Sequence, residues 1–309
     1  MSILLRNNLT DLVLEDALPA LEMIVKDEFD RFDPFYEKCF NVKEMMTSIA
    51  QSTQVSGYKV ASTVGEGEEI PSQRRFQGFD KTYLAIKLGI MAAQSQELID
   101  DLKFDVMSDN ARQLALSIQE AIEIATADIF NSGFSTAGPD GVSLFNASHP
   151  LVAAGAGTDS NTLGTPADLT STSLKAMITL MRDQKDMAGK KIHVKPSQLV
   201  VPPEEHFNAI EILESEMLVR SDNASVNAVN SIKSKYGIDV VVNDYLTDED
   251  ATFLLADKRN HKLCFYWRKR PEIDTDYDFR SEVALQKATC RYAVGYSDWR
   301  GTVGNSGGA

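Results

Sequence analysis

Residues 64–75 read VGEGEEIPSQRR, and a stretch with strand character lies on either side of them. In the second stretch Leu84, Ile86, Leu88 and Ile90 alternate with Tyr83, Ala85, Lys87 and Gly89, a period of two that gives a strand two unlike faces. The pattern predicts two long strands, 53–63 and 76–91, joined by a tip of about twelve residues, well beyond a tight turn. A G-x-G beside a strand can also cradle phosphate, but such cradles open a helix and avoid acids. Here Glu66, Glu68 and Glu69 crowd the glycines, and strand follows. The expectation is an extended, charged hairpin, and the chain must build its body around it.

Before the hairpin, Leu9, Val13, Ala17, Leu21 and Ile24 recur at helical spacing. They predict an amphipathic arm, bent at Pro19, with an acidic far side (Asp11, Glu15, Asp16, Glu22, Asp27). Such an arm cannot bury its stripe alone, so it docks on its own domain or on a neighbouring subunit. After the hairpin, Leu98, Leu102 and Val106 have helical spacing, and Ser108, Asp109 and Asn110 are N-cap types that restart the chain. From Asn110 to Asn131 the stripe Ala111, Leu114, Ile118, Ile122, Ala125 and Ile129 predicts a helix of about 33 Å, stopped near Gly133. Glu97, Asp100, Asp101, Asp105, Asp109, Glu120, Glu123 and Asp128 face only Lys103 and Arg112, so one side of this element reads as strongly negative.

GVSLFNASHP and GAGTDSNTLGTPADL read as irregular loop with Leu144 and Phe145 as an apolar pin. Helices are expected over 171–186 and in EEHFNAIEILES, a buried strand in QLVVP, and a polar loop in SDNASVNAVNSIK. IDVVVNDYL and TFLLADKRNHKLCFYWRK read as core strands, and the remainder as strand-rich with a Gly/Ser tail.

At 309 residues the chain accommodates one or two domains. A formal net charge of -14 argues against a protein whose work is gripping nucleic acid phosphates. Cys39, Cys264 and Cys290 have no metal or disulfide spacing and suit reduced thiols. The N-terminus turns acidic too early for a signal peptide, and no apolar run approaches the roughly 20 residues of a membrane span. His149 with Asp140 and Ser148 could be drawn as a hydrolase triad, but no G-x-S-x-G elbow is present. His206 beside Glu204 and Glu205 is not H-E-x-x-H; these histidines read as polar loop or helix-surface residues. Phe265, Tyr266 and Trp267 among Lys262, Arg268, Lys269 and Arg270 suggest a stacking patch for nucleic acid, yet their strand context favours sheet packing with a basic edge.

The order of parts, together with GVSLFNASHP, KPSQLVVPPEEHFNAIEIL and LLADKRNHKLCFYWRKRPEI…YAVGYSDWRG, resembles the major capsid protein of tailed bacteriophages, its Mu-like branch in particular. The fold is shared with encapsulin shells. The resemblance implies an α+β capsid fold with an N-terminal arm (1–50), an extended hairpin loop (51–92) and a peripheral domain with a spine helix (93–137). An α/β axial domain (138–267) and peripheral return strands with a C-terminal tail (268–309) complete it. It implies hexamers and pentamers of an icosahedral head enclosing double-stranded DNA without sequence-specific binding. Scaffolding protein, portal and an optional decoration protein are the implied partners; assembly is in the host cytoplasm, with no membrane. No catalytic residue, cofactor or metal is implied, and the hairpin-tip residues Glu66, Glu68, Glu69, Arg74 and Arg75 become inter-subunit contacts. With only about fifty residues before the hairpin, starting at Met1, scaffolding is expected as a separate protein. Some relatives join a hairpin lysine to a peripheral-domain asparagine. Lys59 and Lys81 are available, but 268–304 contain no asparagine and Asn305 falls in the expected tail. An encapsulin-like shell, or a soluble hydrolase using His149, is the alternative.

Overall fold

The computed structural model describes residues 23, 26–28, 31, 33–58, 60–95, 104–152, 157–215, 217–218, 228–278 and 280–308. The arm stripe from Leu9 to Ile24, the bend at Pro19, Lys59, the stretch 96–103 and the loop 219–227 lie outside them.

Two four-stranded sheets organise the chain. The first has the order β1-β12-β13-β4, with β1 Asn41–Glu44, β4 Ile86–Ser95, β12 Leu263–Asp278 and β13 Val283–Tyr296. The second is β10-β7-β11-β14, with β7 Pro196–Val201, β10 Asp239–Val242, β11 Thr252–Ala256 and β14 Thr302–Asn305. The hairpin pairs β2 Ile49–Val55 with β3 Gln77–Leu84, and two small ribbons join β5 His149–Pro150 to β6 Thr158–Asp159 and β8 Met217–Leu218 to β9 Ala228–Val229. Helices are α1 Phe35–Cys39, α2 Phe104–Asn131, α3 Ser171–Asp183, α4 His206–Glu214 and α5 Ser231–Lys235.

The spine is longer than its cap residues suggest. α2 runs unbroken through Ser108, Asp109 and Asn110, so its 28 residues extend about 42 Å. Burial decides this: Ala111, Leu114, Ala115, Ile118 and Ile122 pack on the inner face of the first sheet, and tertiary packing outweighs local cap preference. At Gly133, just past the end of α2, a side chain would meet the Phe145 ring at 2.7 Å and the Phe130 carbonyl at 2.9 Å, so only glycine fits there. Leu144 and Phe145 are the apolar pin expected, both buried.

The second sheet is covered on both faces, which explains its unbroken apolar run TFLLA. Phe253 and Leu255 join the core around α2, while Leu254 and Ala256 join α3 and α4 through Leu174, Met177 and Ile212. α3 starts in a capping box: Thr170 Oγ1 accepts the Ser173 N–H at 3.1 Å and Ser173 Oγ accepts the Thr170 N–H at 2.8 Å.

Two expectations need correction. The pattern 76–91 is two strands in two sheets, divided at Ala85, with β3 facing β2 and β4 facing β13. Among the described residues of 56–63 none is in a strand, and Ser56 N–H donates to Phe76 O at the open end of the paired segment. The C-terminal segment, in turn, is not a loose tail. β14 pairs with β11, and buried Asn305 donates to Ala167 O and accepts the Ala167 N–H at 3.2 Å, so its amide is held from both sides.

Candidate assembly surface

The hairpin is fixed at its root and bare beyond it. Tyr83 on β3 is buried against Tyr266 at a ring separation of 4.9 Å, within a small core of Met45, Cys264 and Ala293. Burial, with Cys264 beside it, pushes the Tyr83 phenol far above its usual pKa. Gln54 Nε2 donates to Ser297 O. The turn after α3 grips the same root: Gly57 N–H donates to Asp186 Oδ2 at 2.6 Å, and Met187 fills the space where Gly78 lacks a side chain. Gly78, inside a strand pattern, was the sequence signal of that close approach.

Past this root, residues 56–76 have neither helix nor strand among those described. Gly67 takes φ +81, and Glu68 Oε2 accepts the Gly65 N–H at 3.0 Å, tightening the turn. Arg75 Nε donates to Ser56 O at 2.8 Å and its guanidinium lies 5.6 Å from the Tyr58 ring. Glu66, Glu68, Glu69, Arg74 and Arg75 are all exposed on this segment, but Arg75 is tied to Ser56 at its base rather than free at the tip. Among the described residues, most of the exposed large apolar side chains also fall between residues 42 and 91, including Met46 at 83%, Val60 at 71% and Ile70 at 78%. A single subunit would keep so much apolar surface in water only if another surface is to cover it.

The groups that might have done chemistry are structural. His149 is buried, not a loop-surface residue. Its Nδ1 is 2.7 Å from Asp140 Oδ2, its Nε2 is 3.0 Å from Asn161 Oδ1, and its ring stacks on Trp299 at 4.2 Å. Both nitrogens are engaged, so neither is left to activate Ser148, whose N–H bonds Asn146 Oδ1. The hydrolase reading fails on this geometry. His206 opens α4 half-exposed against Phe207. Phe265, Tyr266 and Trp267 are buried in β12 as sheet packing, with Phe265 stacked on Tyr292 at 5.4 Å.

One acid leaves the negative face. Glu123 is buried, accepts the Phe35 N–H at 3.0 Å, and is pushed up to about 7 by that burial, against the pull of the Phe35 hydrogen bond and of Lys38. Asp109, Glu120 and Asp128 are exposed on α2 as expected. Among the described residues no cluster of His, Cys, Asp and Glu could hold a metal ion, and no helix is long and apolar enough to cross a membrane.

A family model described as phage capsid protein matches residues 80–305. The chain belongs to the phage capsid protein family. Its fold agrees with solved shells. The phage capsid protein described here is similar to a chain of Microbacterium phage Oxtober96, at 13% identity and TM-score 0.58, covering 89% of this chain and 91% of that one. The capsid of Cyanophage P-SCSP1u matches at 9% identity and TM-score 0.58, covering 90% and 89%. The capsid of an empty GTA particle matches at 15% identity and TM-score 0.55, covering 90% and 91%. At such identities the likeness is one of fold. No curated protein sequence matches the chain. The role of this phage capsid protein is structural, as a component of the capsid shell.

Proposed function

We propose that the chain is the major head subunit of a tailed phage, assembling as hexamers and pentamers into an icosahedral shell around double-stranded DNA. The supporting observation is the exposed apolar and charged hairpin, rooted firmly on a subunit of the capsid family. The hairpin between β2 and β3 lies over a neighbour, and the part of the arm before Phe35 reaches another, because Phe35–Glu44 and Ile86–Ser95 belong to the chain's own core and first sheet. α2 and the first sheet form the peripheral domain, and the second sheet with α3 and α4 forms the axial domain around capsomer centres. Asp109, Glu120 and Asp128 keep packaged DNA from adhering, because like charges repel. Scaffolding protein and portal take part during assembly in the host cytoplasm, and a decoration protein is an optional addition.

Negative-stain microscopy of the purified chain, alone and with scaffold supplied, tests this. Closed shells or six- and five-fold capsomers are expected. A monomer by light scattering under every such condition would sink the reading.

A further inference from the structure

Two groups of contacts hold the hairpin root, and they differ in kind. The inner one is aromatic and buried: Tyr83 against Tyr266, with Met45, Cys264 and Ala293 around them. The outer one is polar and adaptable. It lies five residues further along β3, about 16 Å away at about 3.3 Å per residue. There Met187 fills the space beside Gly78, and Asp186 Oδ2 accepts the Gly57 N–H at 2.6 Å. Lys190 Nζ adds a bond to Tyr58 O at 3.5 Å. All three side chains come from the turn 184–191 after α3, so the outer group ties the hairpin to the layer that covers the second sheet. That turn is stiff. Asp186 N–H donates to Lys190 O at 2.7 Å, Gly189 N–H returns to Asp186 O at 2.8 Å, and Gly189 takes φ +79. Buried Gln184 donates to Thr302 O at 2.9 Å and accepts the Gly301 N–H at 2.8 Å, while Arg300 Nε donates to Lys185 O at 2.6 Å. The turn is a bracket standing on the start of β14.

We infer that the turn 184–191 is a latch that aims the hairpin in the free subunit, before it meets any neighbour. A hairpin held at one cluster can swing about it; held again further out, it keeps one direction. Both arms of the hairpin carry glycine where the bracket touches them. A side chain at Gly57 would stand 3.2 Å from Asp186 Oδ2, and one at Gly78 would strike Met187. The use of the latch rests on the capsid reading. A hairpin already aimed loses less freedom when a partner covers Val60, Val64 and Ile70, so the assembly surface is preorganised. The latch also makes the hairpin follow the second sheet, because the bracket moves with Gln184 and Arg300. A turn that merely packs on the root has a different consequence. Cutting its bonds would leave the hairpin's direction unchanged, since the Tyr83 cluster and the bond from Gln54 to Ser297 O remain.

Paired spin labels on the unassembled subunit separate the two. Cys39, Cys264 and Cys290 are buried, so labels attach selectively at Glu66→Cys on the tip and Lys175→Cys on the exposed side of α3. This background should give one narrow distance distribution. Asp186→Ala, at a half-buried site, should broaden it, and Asp186→Asn, which keeps an acceptor, should leave it narrow. An Asp186→Ala distribution as narrow as the starting one would overturn the latch and leave the capsid reading standing. In unlabelled chains, Asp186→Ala should raise the critical concentration for assembly roughly tenfold. A disulfide then closes the latch for good. A Cβ at residue 57 would lie 4.0 Å from Asp186 Cγ, within a disulfide's reach, so Gly57→Cys with Asp186→Cys can be bridged. The reduced chain should assemble as poorly as Asp186→Ala, and the oxidised chain as well as the native one. Oxidised chains that fail to assemble would show that the latch has to open, and would overturn its role in aiming. A native chain that never assembles would overturn the capsid reading and leave the spin-label result standing.

Discussion

The Glu123 carboxylate in the middle of α2 accepts the backbone N–H of Phe35 at 3.0 Å, tying the segment that follows the arm to the spine. That carboxyl is buried and ionises only near 7. Between the ordinary carboxylate value and about 7 the folded chain keeps a proton that the unfolded chain has released, so stability falls as pH rises through that window. Glu123→Gln keeps an acceptor and cannot ionise. It should be more stable than the native chain at pH 8, by on the order of 2 kcal/mol, and equal to it near pH 4. Urea unfolding at the two pH values measures this.

His261 produces the opposite slope. Burial lowers it to about 4, and its Nδ1 accepts the Leu263 N–H at 3.3 Å. Between about 4 and 6.5 the unfolded chain binds a proton that the folded chain refuses, so stability falls as pH drops through that range. His261→Asn, which retains an acceptor, should flatten the acid limb of a melting-temperature profile.

The hairpin root predicts a non-additive pair. Gly78→Ala places a Cβ against Met187 and should cost about 1–3 kcal/mol as overpacking. Met187→Ala alone leaves a cavity costing about 2–5 kcal/mol. Combined, the loss should be smaller than the sum, which a double-mutant cycle by denaturant melts would show.

Deletion of residues 65–73 removes Glu66, Glu68 and Glu69 of the tip but none of the root contacts at Gln54, Gly57 and Gly78. The subunit should fold with an unchanged circular dichroism spectrum and fail to form particles in sedimentation. Normal particles would remove the tip from the assembly surface.

Covalent welding of the shell is not expected. The 268–304 stretch has no asparagine, and Asn305, though rigidly held, is buried in β14 with its amide bonded to Ala167. Mature particles boiled in detergent and reductant should run as one band near 34.1 kDa. A ladder of multiples would show that another amide is used.

The elements that the sequence announced are those whose evidence is local. The α2 stripe, the buried run TFLLA and the pin Leu144–Phe145 each show their burial in their own spacing. What stayed hidden depends on partners far along the chain. The alternation through Ala85 is continuous, yet Tyr83 answers to Tyr266 while Leu88 answers to Cys290. Glu123 reads as one more surface acid until Phe35 is placed beside it, and Asn305 as tail until Ala167 is. The charged tip was visible in VGEGEEIPSQRR, but the cross-strand neighbours Lys87, Arg291 and Lys269 were not, because only strand register brings them together.

Both sheets join distant parts of the chain: β1 lies parallel to β12, pairing Asn41 with Cys264, and β14 fills an edge of the sheet begun by β7. During synthesis the early strands must therefore wait, because the first sheet cannot close before β13 is made and the second cannot close before β14. Pairings of such long separation form slowly. On the proposed reading, an unfinished chain has the hairpin but no rigid platform to hold it for a neighbour. If the chain assembles as proposed, the order of translation would then hold assembly back until both sheets are complete.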